Sequence, residues 1–158
     1  MKPTPLSTRP PTLRYDPHTG CWRALPPLPH ATAFASACVL DGRLFVVGGR
    51  ECDKCQVFDG FCWRLAAALR AARCGAACLA RGGKLVVVGG MVGDDEDEDG
   101  SVVCYDPRAD AWEAVTDAGS GALPPLPAPR GGCRVAALGP EPGAELVLVG
   151  DPGLLRLR

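Results

Sequence analysis

Histidine is nearly missing from this chain: His18 and His30 are the only two among 158 residues, and both lie in proline-rich turns. A serine or cysteine nucleophile that depends on an imidazole base is therefore poorly provided for. No glycine-serine elbow and no zinc-protease helix can be found, and no glycine-rich loop precedes a helix to cradle a phosphate. An enzyme is not expected, and neither is a cofactor or a bound metal. Long apolar runs are absent too. The longest candidate, Leu85 to Val88, is four residues before its glycines, far short of the roughly 20 needed to span a bilayer. The start, Met1-Lys2-Pro3-Thr4-Pro5, has no apolar stretch of the secretory kind. The expectation is an intracellular protein, cytoplasmic or nuclear and not secreted, whose nine cysteines are reduced thiols rather than a disulfide framework. The net charge of -1 hides an uneven layout: six of the 18 acidic residues sit at Asp94 to Asp99, and without them 12 acids face 17 bases. That basic excess is dispersed, so neither nucleic acid nor membrane is expected as a partner.

What the chain does have is a phrase that returns three times. The copies are Tyr15-Asp16 with Trp22; Gly48-Gly49, Phe58-Asp59 and Trp63; and Gly89-Gly90, Tyr105-Asp106 and Trp112. The glycine pairs are 41 residues apart, and the tryptophans 41 and then 49. A period in this range marks one supersecondary unit repeated. Short strands separated by turn signals are expected at 13–16, 21–24, 33–40, 43–47, 55–59, 62–66, 75–80, 84–88, 101–106, 111–115, 133–138 and 145–149, an all-β pattern. Asp41-Gly42 and Gly82-Gly83 sit between apolar runs as hairpin turns. A second class of turn follows each aromatic-Asp, where the carboxylate can cap the backbone. Arg64 to Ala77 is rich in alanine and arginine and competes as a helix. Its counterparts Arg23 to Ala37 and Glu113 to Ala137 carry prolines that no helix interior accepts, so it is read as connection and strand. Residues 1–12, with four prolines, are expected to be a flexible lead-in.

In these residues the chain resembles the kelch repeat. Leu44-Phe45-Val46-Val47-Gly48-Gly49, Leu85-Val86-Val87-Val88-Gly89-Gly90, Val103-Cys104-Tyr105-Asp106-Pro107 and the spaced tryptophans look like kelch's hydrophobic run, double glycine, tyrosine-aspartate and tryptophan. The resemblance implies a β-propeller. The fold expected over 13–158 is a partial one, with about three four-stranded antiparallel blades. Tyr15, Trp22, Gly48, Gly49, Phe58, Trp63, Gly89, Gly90, Tyr105 and Trp112 would be the repeat's structural residues. Closed propellers have four to eight blades, so open sheet edges and self-association through them are expected. The last run, Leu146 to Val149, ends in Gly150-Asp151 instead of a glycine pair, which marks a degenerate final repeat. A longer connection, with Ala118 to Gly121 inserted, precedes it.

The resemblance also implies what the chain does: a protein–protein interaction scaffold, of the kind that forms the substrate-recognition part of ubiquitin ligase adaptors when joined to an F-box or BTB domain. Some kelch-like propellers are copper oxidases, but their tyrosine and histidine ligands have no counterpart here. In such scaffolds loops carry specificity. The candidate partner-binding residues are Arg50, Glu51, Asp53 and Lys54 after the first glycine pair, the acidic loop Asp94 to Asp99 after the second, and Arg73 and Arg130 ahead of the next strands. Alternative readings are a non-functional or truncated propeller fragment, or a cysteine-based zinc or redox protein. The latter rests on Cys52-x2-Cys55 and Cys74-x3-Cys78, spaced much like a four-thiolate site, although Cys78 aligns with Cys38 in the repeat, inside a strand. Cys52 and Cys55 alone could form a labile disulfide. Asp95-x-Asp97-x-Asp99-Gly100 nearly fits a calcium loop, yet lacks the flanking helices, leaving a low-affinity cation site or a solvated acidic insertion.

Overall fold

The computed structural model describes residues 11–93, 97–115, 123–138, 144–151 and 154–157. Among these residues there is no helix, and none long and apolar enough to cross a membrane. The chain opens with a hairpin of β1 (Thr12–Asp16) and β2 (Cys21–Leu25). A first blade follows, of β3 (Ser36–Leu40), β4 (Arg43–Val47), β5 (Cys55–Phe58) and β6 (Trp63–Ala66) in simple up-and-down order. The second blade has the same order and is built from β8 (Ala77–Arg81), β9 (Lys84–Val88), β12 (Val102–Asp106) and β13 (Ala111–Val115). Between the blades runs a small sheet of β7 (Arg73–Cys74), β10 (Met91–Val92) and β11 (Asp97–Glu98). The last sheet holds β14 (Gly131–Leu138), β15 (Glu145–Asp151) and β16 (Leu154–Leu157). The three copies of the phrase thus fall in an outer hairpin and two complete four-stranded blades, and a three-stranded sheet follows them. They form an open arc of a propeller.

The hairpin turns obey the chemistry expected of them. Asp41 and Gly42 have φ of 49° and 72°, and Gly82 and Gly83 have 58° and 75°, the two positive values that a tight hairpin between twisted strands requires. After each aromatic-Asp the carboxylate accepts a backbone N–H two residues on: His18 to Asp16, Phe61 to Asp59 and Arg108 to Asp106, at 2.8–3.0 Å. Arg64 to Ala77 holds β6, a connection and β7, without helix.

Strand alternation divides the apolar residues between two seams. Leu40, Phe45, Val47 and Cys55 of the first blade meet Leu85, Val87 and Tyr105 of the second. Ala77, Val86, Val88, Val102 and Cys104, on the opposite face, meet Cys133, Leu146 and Leu148 of the last sheet. Each fully buried Leu, Val or Phe contributes roughly 1.5–3 kcal/mol relative to exposure, so the seams, not the strand ladders alone, fix the angle between blades. The same alternation corrects one expectation. Cys38 pairs with Phe45 and Cys78 with Val87, and Phe45 stands three residues before its glycine pair while Val87 stands two before its own. Cys78 is therefore out of step with Cys38 by one residue. One step turns a side chain to the other face of a strand, so the two thiols project toward each other from adjacent blades.

Three further differences have local causes. The strand expected from residue 33 begins at Ser36, because Phe34 adopts φ of 58° and cannot continue an extended run. Gly150-Asp151 lets β15 run on to pair Asp151 with Gly131, where a glycine pair would have turned the chain away. β7, β10, β11 and β16 have no signal in the sequence pattern beyond their length of two to four residues. Residues 1–10, Asp94 to Glu96 and the Ala118 to Gly121 insertion lie outside the described residues.

Candidate protein-binding rim

The glycine pairs form the joints from which the candidate surface is built. Gly49 and Gly90 have φ of 121° and 97°, open to glycine and costly for other residues. Each donates its N–H across to the connection leading into the next blade: Gly49 to the Arg73 carbonyl at 2.8 Å, Gly90 to the Arg130 carbonyl at 2.7 Å. A Cβ on Gly48 would overlap the Arg73 carbonyl oxygen. The chain leaves each joint as a loop that climbs to the rim and returns into the third strand.

The tryptophans work from the other side of the seam. Trp63 and Trp112 donate their indole N–H to the carbonyls of Pro26 and Ala67, at 2.9 and 2.7 Å. These carbonyls stand just beyond the last strand of the preceding hairpin or blade. Each tryptophan also packs on the aromatic of its own turn, with ring centroids 5.1–5.2 Å apart in the pairs Tyr15–Trp22, Phe58–Trp63 and Tyr105–Trp112. Asp110 adds a third tie, accepting from Ala67 N–H and the Tyr105 hydroxyl. Those two bonds hold its carboxyl below the ordinary range, while burial and the same carboxylate push the Tyr105 hydroxyl up.

The candidate binding residues separate into two groups. Arg50 and Glu51 are exposed at the rim, Glu51 with a left-handed φ of 53°. Asp53 and Lys54, half-buried beside them, form an ion pair at 2.7 Å that holds the Asp53 carboxyl low and the Lys54 ammonium high. Arg130 is half-buried, and its carbonyl serves the Gly90 joint. Arg73 does not belong with them. It is buried, donating to the Gly89 carbonyl at 2.7 Å, to Asp99 at 2.9 Å and to Ser101 at 2.8 Å. The reason is the arc itself: the connection that carries Arg73 passes under the second blade's glycine pair. Asp99 is removed from the acidic loop by the same contact. Burial opposes its charge, but Ser101 and Arg73 outweigh this and keep its carboxyl below the usual range. The calcium-loop reading thereby loses Asp99, and Asp95 lies outside the described residues.

The four cysteines of the zinc reading do not assemble. Cys52, Cys55 and Cys74 are buried, Cys55 so deeply that its thiol is pushed to about 12. Cys78 faces Cys38. Among the described residues no three His, Cys, Asp or Glu side chains converge as a metal site.

Sequence reasoning missed Phe34. Its side chain is 64 % exposed, in left-handed backbone, with the Arg50 guanidinium 5.7 Å from its ring centroid, a cation–π distance. Its carbonyl is tied to the N–H of Gly75, and the Ala33 carbonyl to that of Arg50. The ring is thus presented on a fixed backbone. An aromatic in the alanine run from Ala31 to Ala37 was the available signal, but it read as part of a strand.

The repeat geometry is now matched by comparison with known proteins. Residues 72–119 match the Kelch motif. That stretch carries a kelch motif. Kelch-like protein 35 of Mus musculus is 41% identical over 51 residues, which cover 29% of this chain and 9% of that protein. The solved structure of YjhT superposes at a TM-score of 0.64 with 16% identity, covering 79% of this chain and 36% of that one. A fungal alcohol oxidase in complex with copper superposes at 0.52 with 24% identity, covering 63% of this chain and 22% of that one. The two structures speak for the kelch propeller fold; the chain spans about a third of the first and a tenth of the mouse relative.

Proposed function

We propose that this kelch chain is a protein-binding scaffold inside the cell, cytoplasmic or nuclear, and not an enzyme. On this reading its rim around Phe34, Arg50 and Glu51 takes up a protein partner, as in the substrate-recognition part of a ubiquitin ligase adaptor. The observation that carries the reading is the Phe34–Arg50 pair. An exposed phenylalanine beside an arginine, each on a backbone held by hydrogen bonds, combines two residue types enriched at protein interfaces, and the fixed backbone limits the ordering cost of binding. Asp53, Lys54 and Arg130 supply polar groups around it. Partners captured from cells by the intact chain, then tested against Phe34→Ala and Arg50→Ala, check this directly. Each substitution should weaken binding of the captured partner roughly 10- to 30-fold, as loss of a hot-spot residue does, with the melting temperature unchanged. Full retention of the partner by the double variant would sink the site.

A second reading, self-association, is favoured by the outer face of the first blade. Val39 is 61 % and Leu65 52 % exposed on strands that belong to a stacked-sheet architecture. A second copy covering that face should give a sedimentation mass that rises with concentration and falls back to monomer with Val39→Lys and Leu65→Lys. A parent chain that is monomeric at every concentration would exclude it.

A further inference from the structure

Nine cysteines punctuate the chain, and two of them have met. Cys38 Sγ and Cys78 Sγ lie 3.0 Å apart, one from β3 of the first blade and one from β8 of the second, where the inner strands run against each other. The one-residue offset described above is what aims them together. Their backbones are clamped on both sides of the seam: the Ser36 hydroxyl donates to the Ala76 carbonyl, and the Gly75 N–H donates to the Phe34 carbonyl at 2.9 Å. Cys78 also lines a depression of about 210 Å³ at the inner side of the arc, walled by Ser36, Ala37, Ala77 and Arg134. A small oxidant can enter there. Neither thiol is fully buried.

We propose that Cys38 and Cys78 form a reversible modification site, which a hydroperoxide oxidises to a disulfide joining the first two blades. The step balances with that oxidant alone. One of the two sulfurs, as its thiolate, attacks the terminal peroxide oxygen, forming an S–O bond as the O–O bond breaks, and the leaving alkoxide or hydroxide takes up a proton. The other sulfur, losing its proton, then attacks the first; the S–S bond forms, the S–O bond breaks, and water departs. Two thiols have given up two electrons to the peroxide. Bringing the sulfurs from 3.0 Å to bonding distance needs a closure of about 1 Å. The hydrogen bond between the thiols, in which either sulfur can be the donor, favours the thiolate, the reactive form, at the accepting one. Burial instead pushes up the Cys55, Cys104 and Cys133 thiols.

The chain treated with hydrogen peroxide, alkylated and digested should yield a reductant-sensitive cross-link between the peptides containing Cys38 and Cys78. Oxidation should raise the melting temperature on the order of 10 °C, since the bond closes a long loop, and dithiothreitol should reverse it. Cys38→Ser and Cys78→Ser, which stay close in size, should each abolish the cross-link and the shift. Because the peptide mapping is done on the unaltered chain, it stands even if a variant misfolds. Overoxidation of either thiol without a cross-link, or a disulfide mapped to Cys52 and Cys55, would overturn the proposal.

Discussion

Replacing Arg73 by methionine is expected to cost about 2–3 kcal/mol, less than the penalty for breaking a fully buried ion pair from one side, because Arg73 is buried but Asp99 only half-buried. Methionine can fill part of the space, but the Gly89 carbonyl loses its charged donor and Asp99 keeps its charge with only Ser101 to answer it. Against a total stability of ~5–15 kcal/mol for a domain of ordinary size, this is a large share. Urea unfolding followed by circular dichroism measures it. The double variant Arg73→Met with Asp99→Leu should recover much of the loss, because the unanswered charge has gone. A single variant that unfolds within about 1 kcal/mol of the parent would mean that Arg73 is not the tie between connection and blade that its three bonds indicate.

Gly90→Val should be at least as damaging. At φ of 97° the new Cβ would lie 2.8 Å from the Cys74 carbonyl oxygen and 2.9 Å from Ala76 Cβ, and neither belongs to a flexible tip that can step aside. Left-handed strain in a branched residue adds roughly 1–3 kcal/mol, so the variant is expected to be largely unfolded at room temperature, with its tryptophan fluorescence shifted to the red. Gly42→Ala separates the two causes. Its φ is 72° but nothing lies within 4 Å of the new Cβ, so only conformational strain of about 1–2 kcal/mol remains. Similar losses for both would show that the close approach of the next blade contributes nothing.

The repeat was legible because its signals are local. The runs Arg43–Val47, Lys84–Val88 and Ala111–Val115 are bounded in the structure where the sequence bounds them, since each is a run of apolar or alternating residues stopped by glycine or by an Asp turn. The fates of Arg73 and Asp99 were not legible. They lie 26 residues apart, and only the small sheet of β7, β10 and β11 brings them together. Phe34 was hidden for a different reason, as no residue pattern announces left-handed backbone at a phenylalanine. The Cys38–Cys78 meeting depends on a single step of register: Cys38 stands three residues before Asp41 and ten before Gly48, Cys78 four before Gly82 and eleven before Gly89, so hairpin and glycine pair give the same offset and the ladder pairing agrees. Pairwise facts across seams were what the one-dimensional pattern could not carry.

The ties between blades all link immediate neighbours: glycine N–H to the connection ahead, indole N–H to the connection behind. A chain linked this way behaves as a one-dimensional ladder, in which every rung is stabilised by the two beside it. The second blade has a neighbour on each face and the β1–β2 hairpin on only one side, so amide exchange should be slowest in β9 and β12 and grade upward toward β1. Opening would then spread inward from the ends rather than occur all at once, and the rim at Phe34, anchored to β8's seam, would stay ordered after the first hairpin had frayed.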